Sequence, residues 1–296
     1  MRPTLFCVLA LAAACQPRSI LTSTTKDEDG GGGGGGGDDT TTSDSTTDYS
    51  YVTDTSTTVQ LGDCPAEPDP VGPWDAHPII EAGATWTYDP YPFDGGVQAV
   101  YDAASTSTST GSTDPAEVVS IPVTKAIVTS VGFRPDSGAT FVEFWFEDAN
   151  ASMDAYNVDV PSDVIYQIVP GAEVAFTVTG VKNFAGEAPE VTEVTDLQVL
   201  SSGNAVHIVD VMGSGDPLSS ATQGLHTVEV WGQLVSGPTD CSSNCWDLEY
   251  GGHTVTFRSD STFDYLGDCV HYIGPLGSFG GSPQLDAKNF DWYWRF

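Results

Sequence analysis

Beyond residue 64, apolar and polar residues alternate along most of the chain, and this alternation predicts β-strands with one buried face. The segment 140–147 shows the pattern clearly, because Val142, Phe144 and Phe146 fall on the same face of the strand. Glycine and proline interrupt the pattern at short intervals, and no long stretch has helical periodicity. The sequence therefore predicts an all-β body.

The predicted strands form two groups, separated by a Gly- and Ser-containing connector at 213–222. The first group comprises the segments 118–131, 140–147, 155–160, 173–181, 191–200 and 206–211. The second group comprises the segments 225–235, 246–250, 254–258, 269–273 and 289–296. Only the segment 161–168 favours a short helix, because Pro161 suits a first helical turn.

The two groups contain a repeated pattern, found at 169–191 and again at 265–285. Each copy reads as a strand, a glycine-bent hairpin and a closing strand. The matched positions are Gly171 with Gly267, Val174 with Val270, and Phe184-Ala185-Gly186 with Phe279-Gly280-Gly281. The repeat predicts two copies of one small β-structure.

Three segments of the first half carry a family resemblance: VVSIPVTKAIVTSVG, FVEFWFED and GAEVAFTVTGVKNFAGEAPEV. They resemble the OB-fold-like domains of secreted bacterial proteins, including those appended to extracellular nucleases and surface lipoproteins. The chain departs from that pattern at Ala172, where an acid is usual. The resemblance covers about 97–212, with a weaker echo over 223–296, and implies two tandem OB-fold-like small barrels. It implies little about a ligand, because one fold serves many functions.

The N-terminus reads as an export signal. The apolar run Leu5–Ala14 is about half the length of a membrane-spanning helix, and Arg2 supplies the positive charge before it. The small residues before Cys15 resemble the lipobox of bacterial lipoproteins, which implies a lipid on Cys15. Gln16 lacks the acid associated with inner-membrane retention, so this resemblance favours the outer membrane. The alternative is an ordinary secretory signal that is cleaved near Ala14.

The residues that follow contain too little apolar surface to fold. Eight glycines occupy 30–37, and threonine, serine and aspartate dominate the residues after them. The predicted organisation is a lipoprotein signal peptide at 1–14, a disordered Gly/Thr/Ser/Asp-rich tether at 15–63, an N-terminal extension packed on the body at 64–96, a first OB-like domain at 97–212, the connector at 213–222 and a second OB-like domain at 223–296.

The chain is strongly acidic, with 41 Asp+Glu against 9 Lys+Arg and a formal net charge of −32. The acidity extends beyond the tether, since few basic residues follow residue 63. They are Lys125, Arg134, Lys182, Arg258, Lys288 and Arg295. A body of this sign repels phosphate backbones, so nucleic acid is an unfavourable partner.

Four cysteines remain after the signal peptide and Cys15 are set aside, and an even number in an exported chain favours two disulfides. Cys241 and Cys245 are close enough to close a tight loop, which would pair Cys64 with Cys269. The alternative is a zinc site made by Cys241 and Cys245 with His253 and His271, although their spacing fits no standard zinc pattern.

The sequence contains no standard catalytic motif, and its five histidines are scattered singly. We therefore expect no enzyme activity, no cofactor and no resident metal. The face of the 140–147 strand that carries Phe141, Glu143 and Trp145 is the candidate ligand face, because OB-folds bind ligands there. The alternative is that Phe141 and Trp145 pack against the second domain or against the segment 64–96.

These observations predict an exported, non-catalytic lipoprotein of the bacterial cell envelope that acts as a tethered binding or structural module. Its partners would be the membrane, through the lipid, and a glycan or protein ligand, since an aromatic platform with an acid suits a sugar ring or a peptide. The alternatives are an accessory nucleic-acid-handling OB-fold module, by analogy of fold, and a hydrolase with an unrecognised site.

Overall fold

The computed structural model describes residues 64, 77–132, 140–184, 188–219, 224–241, 244–261, 264–287 and 293–295. The predicted signal peptide, Cys15 and the tether lie outside the described residues. Among the described helices, none combines the length and apolar character required to cross a membrane.

Most of the described residues lie in β-strands. The strands are β1 (Trp86–Thr87), β2 (Glu117–Val131), β3 (Phe141–Glu147), β4 (Ser152–Asp159), β5 (Glu173–Lys182), β6 (Glu190–Ser201), β7 (Val206–His207), β8 (Val209–Asp210), β9 (Thr227–Asp240), β10 (Asn244–Tyr250), β11 (His253–Ser259), β12 (Cys269–Phe279), β13 (Ser282–Asp286) and β14 (Tyr293–Arg295). The helices are α1 (Pro78–Glu81), α2 (Val97–Ser105), α3 (Val211–Ser214) and a 3-10 turn at Ile165–Gln167.

Five strands close the first barrel in the order β2-β3-β4-β6-β5. All neighbours are antiparallel except β4 and β6, which run parallel with Asp154 opposite Glu190. The apolar face of β3 points into this barrel, where the rings of Phe146 and Phe176 meet edge to face at 5.0 Å. This barrel confirms the prediction that Val142, Phe144 and Phe146 are core residues.

The second barrel repeats the same strand order. Strands β9, β10, β11, β13 and β12 follow one another, and β12 pairs with β9 to close the ring. The third and fifth strands, β11 and β13, are again the parallel pair. The all-β prediction of two tandem OB-fold-like small barrels is therefore confirmed.

The repeated sequence pattern corresponds to the last two strands of each barrel. Gly171 and Gly267 both adopt positive φ, at 80° and 97°, immediately before the fourth strand. Side chains with a Cβ rarely adopt this conformation, which explains the matched glycines. Val174 and Val270, three residues later, are both fully buried in their barrel cores.

The predicted helix at 161–168 is reduced to the 3-10 turn at its C-terminal end, and helix α2 was not predicted from the sequence. Val97, Val100 and Ala104 form the buried face of α2, with the spacing of an amphipathic helix. The start of α2 is stabilised from a distance, because the Asp148 carboxylate accepts hydrogen bonds from the Gly95 and Val97 amides at 2.8 and 3.0 Å. A serine and threonine run beginning at Ser105 concealed this short helical pattern.

Both disulfides expected from the spacing are present. Cys64 is bonded to Cys269 across 205 positions, and Cys241 is bonded to Cys245 across four. The second bond removes the thiolates that a Cys/His zinc site would need. The first joins the start of the described chain to strand β12.

The longer disulfide should contribute more to stability, since a cross-link restricts the unfolded chain in proportion to the logarithm of its loop length. We expect the double variant Cys64→Ser/Cys269→Ser to lose about 3–5 kcal/mol of unfolding free energy, measured by urea denaturation. The matched control, Cys241→Ser/Cys245→Ser, should lose about 2 kcal/mol or less. An equal or larger loss in the control would contradict the prediction.

Candidate functional site

The parallel strand pairs of the two barrels line one cavity of about 780 Å³, here called the inter-barrel cavity. The first barrel contributes residues of β3, β4, β5 and β6. The second contributes residues of β11, β12 and β13. A cavity of this size is in the range of small-ligand sites.

Strand register aligns the residues on the first-barrel wall. Trp145 lies opposite Asp154 in the β3–β4 ladder, and Asp154 lies opposite Glu190 in the β4–β6 ladder. Glu143 lies two residues before Trp145 and therefore shares its face. A row of acidic side chains with one tryptophan thus crosses three strands on the outer surface of the barrel.

The wall from the second barrel is also formed by its parallel pair of third and fifth strands, β11 and β13. Arg258 and Asp286 are opposite each other in the parallel β11–β13 ladder, and Nη1 of Arg258 lies 3.9 Å from Oδ2 of Asp286. Gln284, two residues before Asp286, also lines the cavity. This wall therefore carries an ion pair where the first wall carries two carboxylates.

Aromatic residues from the repeated hairpins lie at the edge of the cavity. Phe184 and Phe279, which are matched positions of the repeat, both line it, and Tyr156 adds a third ring. Next to them the Ala188 amide donates a hydrogen bond to the Ser278 carbonyl at 3.1 Å, which ties the barrels together. Hairpins between the fourth and fifth strands are a usual binding element of OB-folds.

The cavity lining has an excess of negative charge. Its acidic members are Glu143, Asp154, Glu190, Glu193 and Asp286, and its basic members are Lys182 and Arg258. Burial, with repulsion from Asp286, raises the pKa of Glu143 to about 7. Burial and three neighbouring carboxylates raise the pKa of Asp154 well above its usual range.

Several polar atoms of the described lining residues are buried without a hydrogen-bond partner. They include Oδ1 of Asp154, Nε1 of Trp145 and Oγ1 of Thr192. Buried polar atoms of folded proteins are nearly always hydrogen-bonded, and those that are not are costly. These atoms therefore identify a place where a ligand group would add stability.

The structure brings together two of the three residues predicted for the ligand face. Glu143 and Trp145 line the inter-barrel cavity, whereas Phe141 lies outside its lining and is 36% exposed. Trp145 also packs with Ala188 and Leu225, so the alternative of packing toward the second half of the chain applies to it as well.

Sequence reasoning missed the other charged residues of the site. Asp154, Glu190, Arg258 and Asp286 are each ordinary polar positions on a strand when taken singly. Only the pairing of β4 with β6 and of β11 with β13 brings them together. The sequence repeat did match Phe184 with Phe279, and both residues lie at the edge of the cavity.

Comparison with known proteins finds no matching protein family and no matching curated protein. Among solved structures, the chain is similar to a tetrameric HIN2 domain, at 9% identity over 64% of this chain and 97% of that one, with a TM-score of 0.31. It is also similar to a murine DNA binding protein bound with double-stranded DNA, at 9% identity over 58% of this chain and 96% of that one, with a TM-score of 0.30. TM-scores this low do not support assigning the ligands of those proteins to this chain.

The raised pKa of Glu143 predicts a pH-dependent gain of stability in Glu143→Gln. A carboxyl whose folded pKa lies above its unfolded value destabilises the fold when ionised, so its cost is absent below pH 4.5 and complete above about pH 7. We expect Glu143→Gln to raise the unfolding free energy by up to about 3 kcal/mol at pH 8 and by much less at pH 5. Urea denaturation at both pH values measures the difference.

Glu193→Gln is the matched control, because Glu193 lines the same cavity but is exposed. Its stability should follow that of the wild type at both pH values. A Glu143→Gln variant that differs from the wild type by the same amount at pH 5 and pH 8 would contradict the assignment.

Proposed function

We propose that this protein is an exported, lipid-anchored and non-catalytic binding module, whose inter-barrel cavity holds a cationic group of a protein or peptide partner. The observation that carries the proposal is the row of buried carboxylates at Glu143 and Asp154, in a cavity where acids outnumber bases. A guanidinium or ammonium group would lower the cost of ionising these carboxyls and would satisfy Asp154 Oδ1.

The aromatic lining supports the same class of ligand. Trp145, Tyr156 and Phe279 line the cavity beside the carboxylates, and Lys182 lies over the ring of Phe184 at 5.2 Å. Cations gain about 0.5–2 kcal/mol from such rings, and the stem of a lysine or arginine packs on apolar surface. A peptide side chain matches this mixture of acid and ring better than a neutral sugar does, which has no charge to offer the carboxylates.

The acidity of the cavity disfavours a phosphate-bearing partner. The chain has a formal charge of −32, and the cavity lining has the same sign as the whole. Long-range repulsion therefore opposes the approach of nucleic acid.

Binding of small peptides tests the ligand class. We expect the end-blocked peptide Gly-Arg-Gly to bind in isothermal titration calorimetry, and the end-blocked peptide Gly-Met-Gly not to bind. Since a bound cation favours ionised carboxyls, binding at pH 7 should release protons and the heat should vary with the buffer. Glu143→Gln and Asp154→Asn should each weaken binding at least tenfold, and Glu193→Gln should change it less than twofold.

Two outcomes would contradict a cationic ligand in this cavity. A neutral chitotriose that binds where the arginine peptide does not would replace the cationic ligand with a glycan. Arginine binding that survives both carboxylate substitutions would place the ligand outside the inter-barrel cavity. Carboxylate isosteres are preferred to Trp145→Ala, because Trp145 is 4% exposed and its truncation would also remove packing.

The anchor is tested separately from the cavity. We expect Cys15→Ser to move the protein from the membrane fraction to the soluble fraction, and to abolish incorporation of labelled palmitate, because several acyl chains together hold a protein on a bilayer. Cys7→Ser, within the predicted signal peptide, is the matched control and should remain membrane-bound. A wild-type N-terminus without acyl chains in mass spectrometry would contradict the anchor.

A further inference from the structure

A second cluster of titratable side chains lies outside the inter-barrel cavity. It consists of Glu147, His207 and His226, here called the Glu147 cluster, whose ligand atoms all lie within 4.8 Å of one another. Glu147 ends strand β3 of the first barrel, His207 ends strand β7, and His226 immediately precedes strand β9 of the second barrel. The three residues therefore come from three separate parts of the fold.

The carboxylate of Glu147 is fully buried and faces both imidazoles. Its Oε2 lies 2.9 Å from Nδ1 of His226, and its Oε1 lies 3.3 Å from Nδ1 of His207. The second contact is within ion-pair distance but lacks good hydrogen-bond geometry, so Oε1 has only weak partners in His207 and the nearby Tyr91 hydroxyl. A buried carboxylate oxygen with only weak hydrogen-bond partners is costly, and a bound cation would lower that cost.

The distances fit a shared metal ion. Zinc binds histidine nitrogen and carboxylate oxygen at about 2.0–2.2 Å, so tetrahedral ligand atoms are about 3.3 Å apart. The two Glu147–histidine distances, 2.9 Å to Oε2 and 3.3 Å to Oε1, are close to this value, and each histidine faces its own oxygen of the carboxylate. The ligand nitrogens of His207 and His226 and the carboxylate oxygen all lie within 4.8 Å of one another, so the side chains must move closer to bind one ion together.

The surrounding backbone holds the ligands in place. The Asp148 carboxylate, adjacent to Glu147, accepts four backbone hydrogen bonds, from Gly95, Val97, Asn150 and Ala151, at 2.8–3.1 Å. On the other side, the His207 amide donates a hydrogen bond to the Tyr91 hydroxyl at 2.9 Å. Fixed positions of this kind reduce the conformational cost of binding an ion.

We propose that Glu147, His207 and His226 bind one Zn²⁺ ion, which clamps the first barrel to the start of the second. Two imidazoles and one carboxylate suit borderline divalent ions such as zinc and leave a coordination position for water. Because Glu147 lies on the same strand face as Glu143, the clamp would also hold the wall of the inter-barrel cavity.

Metal titration of the full chain, purified in detergent without a histidine tag, tests the site. We expect one Co²⁺ per chain, with visible d–d absorption that Zn²⁺ abolishes by displacement. Zn²⁺ should also raise the melting temperature, whereas Ca²⁺ at the same concentration should not, because calcium prefers sites built from oxygen ligands alone. A wild-type chain without a saturable Co²⁺ site would overturn the proposal, and this result requires no substitution.

Substitutions assign the ligands. His226→Gln and Glu147→Gln, each confirmed as folded by circular dichroism, should weaken Zn²⁺ binding at least tenfold and should alter the Co²⁺ spectrum. His253→Gln is the matched histidine control, and Asp154→Asn tests the acidic cavity as an alternative site; both should leave the affinity unchanged. Zinc binding that is lost in Asp154→Asn and retained in His226→Gln would overturn the assignment.

Discussion

The parallel pairing of the third and fifth strands is the constraint on which the rest of the structure depends. It closes each barrel, as β4 with β6 and as β11 with β13. In a parallel ladder, paired residues point to the same side of the sheet, so Asp154 stands beside Glu190 and Arg258 beside Asp286. The interaction that completes the fold is therefore the one that assembles both walls of the inter-barrel cavity.

One strand face connects the two sites. Glu143, Trp145 and Glu147 alternate with core residues along β3, so all three lie on its outer surface. Glu143 belongs to the acidic cavity, and Glu147 lies four residues away, about 13 Å along an extended strand. The two carboxylates have opposite surroundings, since Glu147 meets two histidines whereas Glu143 meets other acids. Burial raises the pKa of Glu143, whereas for Glu147 the two histidines together outweigh burial and lower the pKa.

Local patterns in the sequence were a good guide to strands and a poor one to isolated helical turns. The alternation at 140–147 and the glycines before the fourth strands correctly indicated two similar barrels. Helix α2 escaped notice because its buried face has only Val97, Val100 and Ala104, and because Asp148, distant in sequence, supports its start. The cysteine spacing favoured both disulfides, since a four-residue separation suits a tight loop and leaves Cys64 and Cys269 as the second pair.

The sequence by itself predicted most of the strands, the repeat and the core face of β3, because each depends on neighbouring residues or on a short spacing. It favoured two disulfides, and the structure decided their pairing. It also singled out Glu143 and Trp145 through their shared face. Only the tertiary structure decided that Asp154, Arg258 and Asp286 join them, and that Glu147 meets two histidines. These side-chain contacts depend on strand register and on the packing of one barrel against the other. Both are long-range interactions that local periodicity does not encode.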